Sequence, residues 1–393
     1  MITVDADSFL VIVLASAVAA LIVGLGGSRV IIPVVVLELG FGILVGPQVL
    51  GLADSDPFIE FFASLGLGML FFFAGYEIDF DRIKGSPLKL AIGGWMISLA
   101  LAYVIGGLLA AAGVVLSLLF TGSAMATTAI GTLIPILSDA GELRTRFGTF
   151  LLAAGAVGEF GPILLITLFF STGNPLSSGL LLVAFVVIAV FAAIFAIRGV
   201  NFGWGAFERT LESSSQLPVR MAVVLVFTLA ALATDLGLDL LLGGFVAGII
   251  TRTALGGREV KILESKLSAV GYGFLIPFFF VVSGIQFELN ALIDDPKELY
   301  KLPLFLAAFL IIRGVPALVL YVRELDLRDR FALAFFCSTE LPLVVAITTI
   351  AVNNGEMRSS TAASLVGAAV LSTAIYPLVG LRLRGSRELP EGV

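Results

Sequence analysis

Leu151-Leu-Ala-Ala-Gly-Ala-Val-Gly-Glu159-Phe-Gly-Pro162-Ile-Leu-Leu-Ile-Thr-Leu-Phe-Phe170 is apolar, long enough to cross a bilayer, and carries one ionisable group near its middle. A carboxylate at that depth costs about 3 kcal/mol on insertion scales, so it lines a cavity, finds a partner or takes up a proton. Gly155, Gly158 and Pro162 fall on the side of the helix that carries Glu159. They give a face with little bulk, and Pro162 leaves the carbonyl four residues back without its N–H donor. The stretch reads as an ion or proton site within a membrane helix. Gly158 and Pro162 serve it as a helix break and a packing surface.

Composition bounds the rest. Of 393 residues, 59% are hydrophobic and only 13% charged, which places the chain in the membrane. Glycine, at 43 residues, suits helices packed closely in lipid. The single cysteine, Cys337, excludes an internal disulfide. The absence of histidine excludes a histidine pH switch, a His-ligated metal and a Ser-His-Asp triad. No enzyme, cofactor, resident metal or nucleic-acid partner is expected. Met1–Asp7 holds two acids and no base, so no cleavable signal peptide is expected.

Windows of about 17–25 apolar residues predict thirteen spans, including a short pair at 219–234 and 238–251. Residues 198–218, with Trp204 and Phe207, read as an interfacial linker after the seventh span. Nineteen of the 23 Lys and Arg residues then fall on the face opposite the N-terminus. The positive-inside rule accordingly predicts a plasma-membrane protein with its N-terminus outside and its C-terminus in the cytoplasm.

The chain also repeats itself. Gly75-Tyr-Glu-Ile-Asp-Phe80 and Gly284-Ile-Gln-Phe-Glu-Leu289 each end a span after a Phe-rich run, 209 residues apart. Asp139-Ala-Gly-Glu-Leu-Arg-Thr145 and Asn353-Asn-Gly-Glu-Met-Arg-Ser359 follow two others, 214 residues apart. Spans one to six therefore match eight to thirteen, in opposite orientation because seven spans separate the partners. Inverted repeats mark secondary transporters, with the site at midplane between them.

Four ionisable residues fall near span centres: Glu38, Glu159, Arg313 and Glu340. The fifth span is interrupted at Ala126-Thr127-Thr128-Ala129, with Pro135 beyond, and the twelfth at Ser338-Thr339-Glu340-Leu341-Pro342. Broken helices in matching positions of two halves point to a transport site, where freed carbonyls meet a cation. Glu159, Thr127, Thr128, Ser338 and Thr339 are the candidate ion- and proton-binding residues. Arg313 and Glu340 either compensate helix dipoles at the crossing or form a buried structural ion pair. Glu38, beside Gly40, Gly42 and Gly46, suits helix packing or a dimer contact. Pro135 and Pro342 are read as helix breaks.

Glu38-Leu-Gly-Phe-Gly-Ile-Leu-Val-Gly-Pro47, Phe71-Phe-Phe-Ala-Gly-Tyr-Glu-Ile-Asp79, the broken fifth span ending in Leu137-Ser-Asp-Ala-Gly-Glu-Leu143, and Arg313 together resemble a known family. It is the membrane domain of the cation:proton antiporter-2 family, which includes sodium/proton exchangers and glutathione-gated potassium efflux systems. The resemblance implies an all-α polytopic membrane protein of thirteen transmembrane helices, two inverted six-helix repeats with crossed discontinuous helices. It divides the chain into scaffold and dimerisation helices (1–87), core (88–171), linker helix and interfacial segment (172–218), scaffold (219–300), and core with a short cytoplasmic tail (301–393). It also implies a homodimer and elevator-type exchange of Na⁺ or K⁺ for H⁺. No nucleotide-binding domain is expected after Val393. Where the family shows Asp-Asp, Asn-Asp or Gln-Asp, this chain has Gly158-Glu159. With one titrating acid, exchange is expected to be electroneutral. A sodium-coupled organic-anion symporter of the same fold, or a channel or sensor without coupled exchange, remain the alternatives.

Overall fold

Backbone N–H and C=O groups have no water to turn to within a bilayer, so an apolar chain satisfies them internally as helices. The computed structural model describes residues 5–26, 33–78, 80–170, 175–211, 213–236, 238, 240–255, 261–293 and 299–385, with no strand among them. The helices in order are α1 (Ala6–Gly26), α2 (Val34–Val45), α3 (Pro57–Tyr76), α4 (Phe80–Ile83), α5 (Ser86–Ala111), α6 (Leu118–Ala124), α7 (Ile130–Asp139), α8 (Arg146–Phe170) and α9 (Pro175–Leu211). They continue as α10 (Leu217–Asp235), α11 (Leu240–Leu255), α12 (Lys261–Val270), α13 (Ile276–Ile285), α14 (Leu289–Ile293), α15 (Lys301–Leu320), α16 (Leu327–Cys337), α17 (Pro342–Asn353) and α18 (Ser359–Arg384). A π-helical turn, Gly271–Leu275, joins α12 to α13. Among the described residues, ten segments are long and apolar enough to cross a membrane, and α2 and α11 are shorter apolar helices. The protein is an integral membrane protein.

Helix ends follow local chemistry. Asp56 caps α3 by accepting the Ile59 N–H at 2.7 Å, with Pro57 in the first turn. Asp326 caps α16 through the Asp329 N–H at 2.7 Å. Within the expected linker at 198–218, α9 runs unbroken for 37 residues to Leu211, before a turn at Ser213–Gln216. Hydropathy marks where a helix leaves lipid, whereas backbone hydrogen bonding continues into the polar flank. The side chains of Trp204 and Phe207 lie outside the described residues.

The chain forms two compact units. The first comprises α1, α2 from Leu37, α3, the segment after Pro162, and α9 to α13. Lipid tails are as apolar as leucine, so its helices are held by close packing rather than by escape from water. Gly75 and Gly248 let α3 and α11 touch backbone to backbone, since a Cβ on either would strike a carbonyl of the other helix. Gly42 and Gly284 do the same for α2 and α13. The two contacts are counterparts in the two repeats. Phe9, Phe62 and Phe278 pack against one another in the same unit, with Phe9 lying 5.4 Å from Phe62 and 5.0 Å from Phe278.

The second unit comprises α4 to α7, α8 as far as Pro162, and α14 to α18. Here two spans are interrupted. Residues Met125–Ala129 separate α6 from α7, and Ser338–Leu341 separate α16 from α17. Both breaks lie where the sequence placed them.

Candidate functional site

The two breaks meet. The Ala129 N–H donates to the Thr339 carbonyl at 2.8 Å, tying the middle of one interrupted span to the middle of the other. The residues joined are 210 apart, within the 209–214-residue offset of the repeat. α8 is tied to the same point for a covalent reason. Pro162 has no N–H for the Gly158 carbonyl, which instead accepts from Thr128 N–H at 3.1 Å. Pro162 is therefore no break: α8 runs straight through it, and its effect is to free one acceptor for the crossing. Gly158 is not a break either. A Cβ there would strike the Arg313 guanidinium and lie 2.8 Å from Thr128 Oγ1.

Arg313, on α15 and 4% exposed, reaches into this junction. Its Nε and Nη2 donate to Thr128 Oγ1 at 2.9 and 2.7 Å, and Nη1 to Ser98 Oγ at 3.1 Å. Nη2 also reaches the Ala154 carbonyl at 3.2 Å, and Nε the Cys337 carbonyl at 3.4 Å. Cys337 ends α16, so the cation sits on the negative end of a helix dipole. Thr128 Oγ1 in turn donates to the Cys337 carbonyl at 2.6 Å. With two donors received and one given, this hydroxyl has no lone pair left for cargo. Thr128 is a bridge, which revises its expected place among the ion ligands.

Glu340 lies on the opposite pole. It is fully buried, two residues before the first residue of α17, Pro342. That is the positive end of a half-helix. Its backbone is pinned by Ser372, which accepts its N–H at 3.0 Å, and by Ser372 and Thr373, which donate to its carbonyl at 3.1 and 3.3 Å. The Arg313 charge acts on the carboxylate through space and the Thr127 hydroxyl acts on it at closer range. Arg313 and Glu340 do not meet in a contact ion pair, so that expectation is corrected. The guanidinium is already engaged by neutral acceptors on four other segments.

Glu159 is 2% exposed. It follows Gly158 directly and lies one turn beyond Gly155, whose missing Cβ faces Ile130 in the first turn of α7. Its side chain therefore leaves α8 on the face that meets the first break. Three hydroxyls nearby keep their lone pairs while donating to the backbone. These are Thr127 to Ala124 O at 3.1 Å, Ser338 to Ala334 O at 2.7 Å and Thr339 to Phe335 O at 3.3 Å. Among the described residues the carbonyls of Met125, Thr127 and Ser338 accept no hydrogen bond. Ser338 O is open because its helical donor would have been Pro342.

Two expected residues stand apart. Pro135 lies inside the continuous helix α7, beyond the break, and its side chain is outside the described residues. Glu38 belongs to the other unit, 3% exposed on α2 beside Leu39 and Gly42. Conversely, sequence reasoning passed over Trp95, Ser98, Ser372 and Thr373. Trp95 and Ser98 sit three apart on one face of α5, a spacing that could have flagged them.

Known proteins resemble this chain over most of its length. YjbQ of Bacillus subtilis (strain 168), provisionally named a Na(+)/H(+) antiporter, is 28% identical over 386 residues, covering 92% of this chain and 60% of YjbQ. This chain thus spans less than two thirds of that relative. The Na(+)/H(+)-K(+) antiporter GerN of Bacillus cereus is 26% identical over 273 residues, 66% of this chain and 67% of GerN. The structure of the sodium proton antiporter MjNhaP1 from Methanocaldococcus jannaschii superposes with a TM-score of 0.67 at 18% identity, covering 96% of this chain and 99% of that one, which is a likeness of fold. The family described as sodium/hydrogen exchanger, transmembrane, matches residues 14–380, and the chain belongs to it.

Proposed function

We propose that the protein exchanges a monovalent cation, Na⁺ or K⁺, for H⁺ across the plasma membrane, with both cargoes taken in turn by Glu159. The observation that carries this reading is the junction of two interrupted helices, Ala129 N–H on Thr339 O, with the α8 segment bearing Glu159 bonded to it. Thr127, Ser338 and Thr339 hydroxyls and the open carbonyls complete the cation's shell. Charge supports a one-for-one count. Arg313, Glu340 and Glu159 are all buried among the described residues. Arg313 and Glu340 offset each other and the helix dipoles. Glu159 supplies one carboxylate, which one proton or one monovalent cation neutralises in turn. Exchange is then electroneutral, with the crossover unit carrying the cargo in an elevator-type cycle. The named activities of the relatives point the same way. A homodimer with its N-terminus outside, and Glu38 serving the scaffold, belong to the same reading.

The test is a proteoliposome with a trapped pH dye and an imposed gradient of Na⁺ or K⁺. Exchange is expected to ignore membrane voltage and to vanish in Glu159→Gln while the protein still elutes as a folded species. Voltage-driven flux, or a Glu159→Gln variant that still exchanges, contradicts the reading.

A further inference from the structure

The first break does not leave its carbonyls uniformly open. Those of Met125 and Thr127 accept no hydrogen bond among the described residues, but the one between them, Ala126 O, accepts from Trp95 Nε1 at 3.1 Å. Trp95 stands on α5 one turn before Ser98, which receives Arg313. Its ring is backed by α8 at Gly161, two residues beyond Glu159. Any Cβ at 161 would fall inside van der Waals contact with three atoms of the indole.

The second break also has an engaged carbonyl. Cys337 O, 211 residues after Ala126, is engaged by Thr128 and Arg313. The next carbonyl, Ser338 O, is open as Thr127 O is. One break therefore has a carbonyl engaged by a hydroxyl and a cation, the other by a neutral indole N–H.

A carbonyl that already accepts an N–H offers a cation less, and the number and field strength of oxygens around an ion decide which ion is preferred. A tighter shell with fewer oxygens suits the smaller ion. We propose that Trp95 is a specificity-determining positioning residue that acts through Ala126 O. By engaging that carbonyl it withholds one oxygen from the cargo shell and favours Na⁺ over K⁺. The inference rests on the crossover being the cargo site.

Trp95→Phe keeps an aromatic ring against Gly161 and removes the N–H. Initial exchange rates in proteoliposomes, titrated with Na⁺ and with K⁺, give KM and Vmax for each ion. The KM ratio is expected to move toward K⁺ by about fivefold, with Vmax little changed. Should Trp95→Phe not fold, a β-(3-benzothienyl)alanine residue at position 95 keeps the bicyclic shape without the donor and is read the same way. An unchanged KM ratio with a uniform loss of rate overturns the proposal and makes Trp95 a packing residue only. Absence of exchange by the unmodified protein with either cation overturns the functional reading as well.

Discussion

Arg313 shows how one side chain can organise a site without a carboxylate in contact. Its donors are distributed over Ser98, Thr128, Ala154 and Cys337, and the Ser98 and Thr128 hydroxyl oxygens would lose the N–H donors they accept from if the guanidinium were removed. An orphaned buried acceptor costs about 1–3 kcal/mol, so the residue fixes geometry as much as charge. Glu77 offers a different test at the same scale. It follows α3 directly, half-buried, and burial together with the charge of Glu264 pushes its carboxyl up to about 8, against an opposing contribution from Tyr272. Arg252, over the Tyr76 ring at 5.7 Å, completes the charged surroundings. The folded protein thus binds this proton more tightly than the unfolded chain does. Its contribution to stability is complete below the ordinary carboxylate range and is lost as pH climbs through about 8. Melting temperature in detergent should fall between pH 6 and pH 9 (about two units around that value), and Glu77→Gln should flatten the fall. A variant with the same slope as the unmodified protein would assign the pH dependence elsewhere.

At the scale of elements, the interrupted spans are defined by what prolines withhold. Pro342 begins α17 and denies Ser338 O its donor, while Pro162 denies Gly158 O its own and so brings Thr128 to it. Pro342→Ala supplies an N–H at the break and lets α17 wind back by a turn. A gain of about 1 kcal/mol in unfolding stability is expected for the added hydrogen bond. Exchange should fall at least tenfold (roughly 1.4 kcal/mol of barrier), because an open carbonyl is withdrawn from the cargo. Thermal melting and dye-based transport on the same preparation separate the two effects. Stability and exchange rising together would show that Ser338 O takes no part.

At the scale of the molecule, the crossover unit is clasped at one end by a buried cluster that connects distant segments. Arg384, at the end of α18, donates to Glu142 at 3.0 and 2.7 Å and pairs with Asp329 at 2.7 Å, its guanidinium 4.3 Å from the Phe147 ring centre. Glu142 lies between α7 and α8, and Asp329 in the first turn of α16. The clasp therefore holds the outer ends of two half-helices whose inner ends form the junction. Arg384→Ala should destabilise the protein by about 3–5 kcal/mol, since two buried carboxylates lose their shared cation. Chemical denaturation in detergent measures this, and a loss below about 1 kcal/mol would class the cluster with solvated surface pairs. The sequence by itself determined the helical membrane architecture, the positions of both breaks, the 209–214-residue repeat and the four charges near span centres. Hydropathy, proline chemistry and the cost of charge in lipid are local properties that a linear reading captures. Only the tertiary structure decided that Arg313 reaches Thr128 and Cys337 rather than Glu340, that Trp95 covers Ala126, and that Arg384 joins Glu142 to Asp329. Those are hydrogen bonds between residues up to 242 apart, and they depend on where helices cross rather than on what each helix contains.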